Sequence, residues 1–244
     1  MTDAMRAHYR ALLAPIYRWM LGDEGAALAR SRAELATLGI GRARSGARAL
    51  DLGAGTGLQS VPLSELGYAV TALDTSAQLL AELRAACPSA RAIAGDLADL
   101  DQLSSGEFEV IVCMGDTLTH LPSKAAVESV LAAACRKLAP GGSLVLTFRD
   151  YASRSLEGDD RFILVRSDDA RILTCLLEYD AETVRVTDIL HERGDTGWTL
   201  RKSSYPKLRL ALEWICARLE ERGCVVTKAS CELGKISIVA ASAR

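Results

Sequence analysis

The chain has 244 residues, of which 49% are hydrophobic and 25% are charged, and its 29 basic and 31 acidic residues give a formal net charge of −2. This size and composition predict one globular domain with a full core. The balanced charge disfavours a nucleic acid as the main ligand, because binding to a polyanion normally requires a basic surface. No run approaches the length of a membrane span, so we expect no membrane partner.

Cysteine and histidine usage bears on metal binding and location. The seven cysteines form no C-x-x-C pair, and His8, His120 and His191 lie far apart in the sequence. An odd, unpatterned set of cysteines argues for a reducing compartment and against zinc. The first residues lack the apolar stretch of a secretory signal. We therefore expect a cytoplasmic protein without a metal site.

The N-terminal segment has helical periodicity. Residues 4–38 predict two helices, with a break near Gly22 and a kink or break at Pro15. Two interpretations are open, because these helices could simply cover a sheet or could form a lid over a bound ligand. In the second case, aromatic rings would contact the ligand, namely those of Tyr9, Tyr17 and Trp19.

Residues 49–60, ALDLGAGTGLQS, predict a strand, a glycine turn and the start of a helix. The apolar strand carries Asp51, and glycines follow at alternate positions: Gly53, Gly55 and Gly57. Glycine lets a ligand approach the backbone closely, and a helix start offers unpaired N–H groups. A dinucleotide fingerprint requires glycine or alanine where Leu58 stands, which weighs against an NAD-dependent enzyme. A tight turn without a ligand is the other interpretation.

Further apolar segments at 68–73, 90–94, 108–113 and 143–148 predict four more strands of a parallel sheet. Ligands bind at the carboxyl edge of such sheets, so the residues that follow the strands are site candidates. They are Asp74 and Thr75, Asp96 and Leu97, Met114 to His120, and Arg149. A carboxylate at 74 could accept two hydrogen bonds from a ribose, or it could cap the next helix.

The second half of the chain has a different pattern. From residue 158 to 209, period-two alternation predicts antiparallel strands, followed by a helix and two final strands. We therefore predict an α/β fold with a doubly wound, mostly parallel seven-stranded sheet and an antiparallel insertion after the fifth strand. Four parts follow: a helical cover (1–47), the α/β core (48–150), the insertion (151–209) and a C-terminal helix and hairpin (210–244).

The motifs LDLGAGTG, VTALDTS, GDLADL, FEVIVCMGD and RKLAPGGSLVLTF together resemble those of class I methyltransferases that use S-adenosylmethionine (SAM). Within that class, the chain resembles the glycine/sarcosine N-methyltransferase-like group of small-molecule enzymes. Residues 17–23 and the segments CMGDTLTHLP, LVLTFRDYA and LRKSSYPKLRL carry the narrower resemblance. It implies a Rossmann-like fold, SAM as the cofactor and S-adenosyl-L-homocysteine as its product.

The resemblance implies a role for each part of the cofactor site. The glycine turn would shape the methionine pocket, Asp74 would bind the ribose, and Asp96 with Leu97 would bind adenine. The full set of expected cofactor contacts is Tyr17, Asp51, Gly53, Ala54, Gly55, Gly57, Asp74, Thr75, Asp96, Leu97, Met114 and Gly115. The family places an arginine soon after Gly22 to hold the SAM carboxylate, and here Arg30 or Arg32 would have to reach instead.

On the acceptor side, the resemblance implies that Arg149 holds a substrate carboxylate. Asp116 replaces a substrate-facing asparagine of the family, and its charge would repel a carboxylate and attract an ammonium. Asp116 or His120 could accept a proton from the attacking amine. Tyr205 could belong to the core or face the site. Arg149 could instead only pair with an acid, and His120 could only support its loop.

These observations predict a metal-independent methyltransferase that moves a methyl group from SAM to a small amine or amino-acid-like metabolite. Asp116, His120 and Arg149 are its candidate catalytic residues, and Asp116, Arg149 and Tyr205 are candidate substrate contacts. Two alternatives are open: a small-molecule O-methyltransferase, and a SAM-binding protein without catalysis. The sequence leaves the acceptor unidentified and leaves open whether the chain forms a homo-oligomer.

Overall fold

The computed structural model describes residues 3–102 and 106–244. The helices are α1 (Asp3–His8), α2 (Tyr17–Leu21), α3 (Glu24–Thr37), α4 (Ser60–Glu65), α5 (Ala77–Ala86), α6 (Lys124–Lys137) and α7 (Leu212–Glu220). The strands are β1 (Arg48–Leu52), β2 (Ala69–Asp74), β3 (Arg91–Ala94), β4 (Phe108–Cys113), β5 (Leu138–Arg149), β6 (Phe162–Ser167), β7 (Arg171–Tyr179), β8 (Thr183–Gly194), β9 (Gly197–Leu208), β10 (Cys224–Glu232) and β11 (Lys235–Ser242).

The main sheet has the order β10-β11-β5-β4-β1-β2-β3. Strands β1 to β5 pair in parallel, and β11 lies antiparallel between β5 and β10. The terminal hairpin turns at Leu233 and Gly234, which both have positive φ, as a two-residue hairpin turn requires. The predicted α/β fold class is confirmed.

The second sheet consists of β6, β7, β8 and β9 in sequence order, all antiparallel. Its inward face is mostly apolar, since Leu173, Leu177, Val184, Val186 and Leu190 are buried there. Pro206 lies on β9, an edge strand, where a missing backbone N–H is tolerated. The predicted antiparallel insertion is therefore a sheet of its own.

Strand β5 begins five residues earlier than the predicted strand, directly after α6. Phe108 pairs with Leu138, and Val110 then pairs with Ser143, so residues 139–142 bulge out of the register. A Cβ on Gly142 would lie 2.9 Å from the carbonyl oxygen of Phe108. The proline and glycines of this segment therefore shape a bulge in one strand, rather than a loop between the helix and the strand.

The helical segment before Gly22 packs mainly against the second sheet, whereas Leu35 of α3 joins the core of the main sheet. Met5 belongs to a buried cluster with Tyr151, Tyr205 and residues of β7 and β8, and Leu12 and Ile16 pack against Leu173 and Leu190. A π-helical turn (Tyr9–Leu13) and a 3-10 turn (Ala14–Ile16) replace regular helix around Pro15, which removes a backbone donor. The predicted irregularity at Pro15 is thus present, and the four-part division of the chain stays a prediction.

The carboxyl ends of the parallel strands point toward the second sheet, and a cavity lies between them. Within residues 3–102 and 106–244, no helix combines the length and apolarity needed to cross a membrane.

Candidate active site

A cavity of about 300 Å³ joins the glycine turn to the inward face of the second sheet. This volume is at the lower end of the range for small-molecule sites. Ten of the expected cofactor contacts line it: Tyr17, Gly53, Ala54, Gly55, Asp74, Thr75, Asp96, Leu97, Met114 and Gly115. The expected acceptor residues Asp116, His120, Arg149 and Tyr205 line the same cavity.

The glycine turn has a backbone that other residues would strain. Gly53, Gly55 and Gly57 have φ values of 78°, 54° and 96°. A Cβ on Gly53 would overlap the side chain of Thr117. The N–H groups of Gly53 and Ala54 donate to the carbonyl of Leu73 at 2.8 and 3.0 Å, which fixes the turn against the end of β2. The turn is thus a preformed, close-packed edge of the cavity.

Two predicted cofactor residues do not line the cavity. Asp51 is 1% exposed beneath the turn, and Oγ of Ser60 donates to its carboxylate at 2.7 Å. Burial raises the pKa of Asp51 to about 7, although the Ser60 hydrogen bond opposes the shift. Gly57 packs against Leu83 behind the turn. Asp51 and Gly57 therefore support the turn in this structure and do not face the space where a cofactor would lie.

Asp74 connects the turn to β2. Its Oδ2 accepts the N–H of Gly55 at 2.9 Å, and its Oδ1 accepts the N–H of Ser76 at 2.7 Å. Burial raises its pKa, and these backbone hydrogen bonds oppose the shift. The helix cap is Ser76, whose Oγ accepts the N–H of Leu79. The backbone N–H of Thr75 also donates to the Asp74 carboxylate. A carboxylate accepts about four hydrogen bonds, so Asp74 keeps capacity for about one further donor, such as a ribose hydroxyl.

Asp96 and Leu97 lie on the same wall. Oδ1 of Asp96 accepts the N–H of Ala98 at 3.0 Å, and the guanidinium of Arg6 lies 3.3 Å from its Oδ2. Arg6 belongs to α1, so an ion pair links the first helix to this end of the cavity. Leu97 is 8% exposed and offers an apolar surface that suits an aromatic ring.

Neither predicted arginine after Gly22 reaches the cavity lining. Nε and an amino group of Arg32 both donate to Glu65 at 2.7 Å on the surface, and Arg30 is exposed. Two of the three aromatic residues of the predicted lid face the cavity. Tyr9 and Tyr17 line the cavity, whereas Trp19 packs beside Leu12 and donates its indole N–H to Asp168.

The acceptor side centres on Asp116. Its Oδ1 accepts the backbone N–H of Arg149 at 2.9 Å, and its Oδ2 lies 2.5 Å from Nζ of Lys207 and 3.6 Å from Nε of Arg149. The side chain of Lys207 is only 6% exposed. Burial alone would raise the pKa of Asp116, but the charges of Lys207 and Arg149 hold it well below its usual range. Asp116 is therefore ionised and a poor proton acceptor.

Lys207 changes the interpretation of this site. Burial disfavours its charged form, but Asp116 raises its pKa above the ordinary value. With Arg149, the cluster holds two cations and one anion, so its net charge is positive. The repulsion expected between Asp116 and a substrate carboxylate is thereby offset. Sequence reasoning missed Lys207, although Lys207 and Tyr205 lie two residues apart on one face of β9 and both line the cavity.

His120 ends the 3-10 turn Thr117–His120 and lines the cavity. Its ring lies between those of Tyr9 and Tyr205, with centroid distances of 6.1 and 5.7 Å. Nδ1 is shielded and has no hydrogen-bond partner among the described residues. Burial and the charge of Lys207 hold the pKa of His120 well below 6.5. Its imidazole is therefore neutral near pH 7 and can accept a proton, although the same burial and charge make it a weak base.

Tyr205 belongs to the core and also faces the site. It is 5% exposed in a buried cluster, and its side chain borders the cavity. Sequence reasoning also missed Asp188, a buried carboxylate of β8 on the cavity wall. Nε2 of His8 lies 3.0 Å from its Oδ2. Within the part of the chain that the structure describes, no three His, Cys, Asp or Glu side chains are grouped as metal ligands.

Comparison with known proteins agrees with this architecture. Residues 49–142 match a family model described as a methyltransferase domain. The SAM-bound amino pentose methyltransferase of Micromonospora echinaspora superimposes with a TM-score of 0.72 at 22% identity, covering 99% of this chain and 97% of that one. The chain has the Rossmann-like fold of the class I SAM-dependent methyltransferases, and the predicted resemblance to that class is confirmed.

Among curated proteins, the glycine/sarcosine N-methyltransferase of Halorhodospira halochloris is 34% identical over 112 residues, which are 44% of this chain and 42% of the relative. The ubiquinone biosynthesis O-methyltransferase of Xanthomonas oryzae is 36% identical over 107 residues, covering 42% of this chain and 43% of the relative. The matched segments thus span less than half of the length of these relatives.

Proposed function

We propose that this protein transfers a methyl group from SAM to the nitrogen of a small amine or amino-acid-like metabolite, without a metal. The observation that carries this proposal is a single cavity with a glycine turn and Asp74 at one end and His120, Asp116 and Lys207 at the other. The first end suits a nucleoside with an ammonium-bearing tail, and the second suits a polar acceptor.

The residues present fit SAM as the cofactor. The Asp74 carboxylate keeps acceptor capacity for a ribose hydroxyl, and Leu97 with Asp96 offers an apolar face and a carboxylate to adenine. Gly53, Ala54 and Gly55 of the glycine turn line the cavity, where the methionine end would lie. When bound, SAM supplies a methyl group already activated by its sulfonium.

The protein then contributes position and proton transfer. Arg149, whose side chain is 53% exposed, and the buried Lys207 form the cationic wall that would hold an anionic group of the acceptor. Neutral His120 would accept the proton that an attacking nitrogen loses. Holding two reactants in line can lower a barrier by about 7–11 kcal/mol, so positioning would supply most of the rate.

Nitrogen as the acceptor atom is supported by the comparison with glycine/sarcosine N-methyltransferase. O-methylation is the second candidate, because an O-methyltransferase of ubiquinone biosynthesis is 36% identical over 107 residues. A SAM-binding protein without catalysis is the third. Acceptor turnover separates the three.

The first experiment is calorimetric titration with SAM and with S-adenosylhomocysteine. We expect Asp74→Ala to abolish binding, whereas Asp169→Ala, at an exposed carboxylate outside the cavity, leaves it unchanged. The second experiment measures methyl transfer from radiolabelled SAM to glycine, other amino acids, an amino sugar and a set of phenols, with and without a chelator. Turnover of phenols alone would replace the amine assignment, and SAM binding without any turnover would support the non-catalytic alternative.

A further inference from the structure

The inward face of the second sheet carries two charged side chains that were not among the candidate site residues of the sequence analysis: Lys207 on β9 and Asp188 on β8. Both are buried, at 6% and 5% exposure, and both line the cavity. Asp188 pairs across the strands with Ser203, four residues before Lys207. The backbone positions of Asp188 and Lys207 are therefore about 13 Å apart along the strand direction. The cavity thus has a cationic wall and an anionic wall.

Tyr205 lies between the two walls. It pairs with Val186, and this pair lies midway along the strands between the positions of Asp188 and Lys207. The Tyr205 ring contacts His120 on one side, at a centroid distance of 5.7 Å, and His8 on another, at 4.3 Å. The ring of Tyr205 therefore borders the space between His120 and Asp188 in this cavity.

Asp188 is held in place from two directions. Nε2 of the buried His8 donates to its Oδ2 at 3.0 Å, and the thiol of Cys175, on the neighbouring strand, also hydrogen-bonds to the carboxylate. A carboxylate has lone pairs for about four hydrogen bonds, so two such donors leave acceptor capacity unused. Burial makes unused capacity on a charged group costly, and a donor on a ligand would satisfy it.

We propose that Asp188 is a specificity-determining residue that binds a hydroxyl or ammonium group of the methyl acceptor, on the far side of Tyr205 from His120. The proposal deepens the proposed function and rests on it. The acceptor is then longer than glycine: its nucleophilic nitrogen lies near His120, and a second hydrogen-bond donor reaches Asp188. In the alternative, the His8–Asp188 contact only fastens α1 to the second sheet.

Two pairs of amino acids test the inference through the ratio of their kcat/KM values. The long pair is norvaline and 5-hydroxynorvaline, and the short pair is alanine and serine. We expect the terminal hydroxyl to raise kcat/KM by about 10- to 100-fold in the long pair, as a hydrogen bond to a charged group allows. The hydroxyl of serine is too close to its amine to reach Asp188, so the short pair should differ little.

The Asp188→Asn variant should lower the advantage of 5-hydroxynorvaline to a few-fold at most, because only a neutral hydrogen bond remains, and should leave the affinity for SAM and the melting temperature unchanged. Asparagine still offers an oxygen to Nε2 of His8, so the fastening contact is kept. Glu178→Gln is the matched control, because Glu178 forms an exposed ion pair with Arg185 in the same sheet and does not line the cavity.

A preference for 5-hydroxynorvaline that keeps its full size in Asp188→Asn would overturn the role of Asp188. The role is also overturned if the variant loses thermal stability or SAM affinity while the ratio stays unchanged, because a contact that only fastens α1 would behave in this way. Failure of the proposed function is seen in the wild type by itself, as SAM binding without methylation of any amine, and it would remove both proposals together.

Discussion

The ammonium nitrogen of Lys207 lies 2.5 Å from Oδ2 of Asp116, and neither side chain is more than 17% exposed. The two residues come from different sheets: Asp116 follows β4, and Lys207 stands near the end of β9. Their contact therefore closes the cavity between the main sheet and the insertion, and it fixes the charge state of both groups.

Removal of Lys207 should destabilise the fold. Lys207→Met leaves Asp116 with only the more distant Arg149, and breaking a largely buried ion pair from one side costs about 3–5 kcal/mol. The double variant Lys207→Met/Asp116→Asn should recover most of that loss, because no unpaired charge remains. Urea unfolding measures both values, and a double variant no more stable than Lys207→Met would contradict this prediction.

Protonation of His120 should affect stability in acid. Its folded pKa lies well below 6.5, so the unfolded chain binds this proton first as the pH falls. Its contribution to stability is complete above about pH 6.5 and is lost as the pH falls toward the folded value. His120→Phe should flatten this slope in denaturation curves taken from about pH 8 to pH 5. An identical slope in the variant would assign the pH dependence to other groups.

The same residue should control catalysis. We expect His120→Phe to lower kcat by about 10²- to 10⁴-fold, the usual contribution of a general base, with the affinity for SAM unchanged. Phenylalanine keeps an aromatic ring between Tyr9 and Tyr205, so packing is largely preserved. A variant with unchanged kcat would leave His120 as a support for its loop.

Asp51 should make the protein less stable at alkaline pH than at acid pH. Its pKa is raised from 3.8 to about 7 by burial, so the folded state retains this proton where the unfolded chain has lost it. Stability from this group is complete below the unfolded pKa and is lost as the pH rises through about 7. Asp51→Asn should raise the free energy of unfolding at pH 8 by up to about 4 kcal/mol. Stability equal to that of the wild type at that pH would contradict this.

A pair of glycine variants should separate strain from close packing. Gly53 and Gly46 both have φ of 78°, so alanine costs similar backbone strain at each, about 1 kcal/mol. Nothing lies within 4 Å of a Cβ at Gly46, whereas a Cβ at Gly53 would overlap Thr117. We therefore expect Gly53→Ala alone to abolish SAM binding, and Gly46→Ala to lower stability only slightly. Binding by Gly53→Ala would show that the turn adjusts.

The residues that could be placed correctly from the sequence are those that directly follow a recognisable strand. Gly53 and Asp74 follow strands whose apolar runs are evident, and parallel strands bring their carboxyl ends together by topology alone. Lys207 and Asp188 could not be placed in this way. Which face of β8 and β9 turns inward depends on how the second sheet packs, and a shift by one residue would turn both side chains outward. For Arg32 the error was the opposite one. The sequence placed this residue in the cofactor site, but in the structure it binds Glu65 on the surface.

The division of the cavity between two sheets has an evolutionary consequence. The nucleoside end depends on backbone geometry at the edge of the main sheet, where Gly53 and Gly55 have positive φ. The opposite wall depends on alternate side chains of β8 and β9, whose backbone pairing is indifferent to what those side chains are. A substitution on β8 or β9 can therefore change the acceptor wall without altering the backbone that holds the methyl donor, although at Lys207 it would also lower stability.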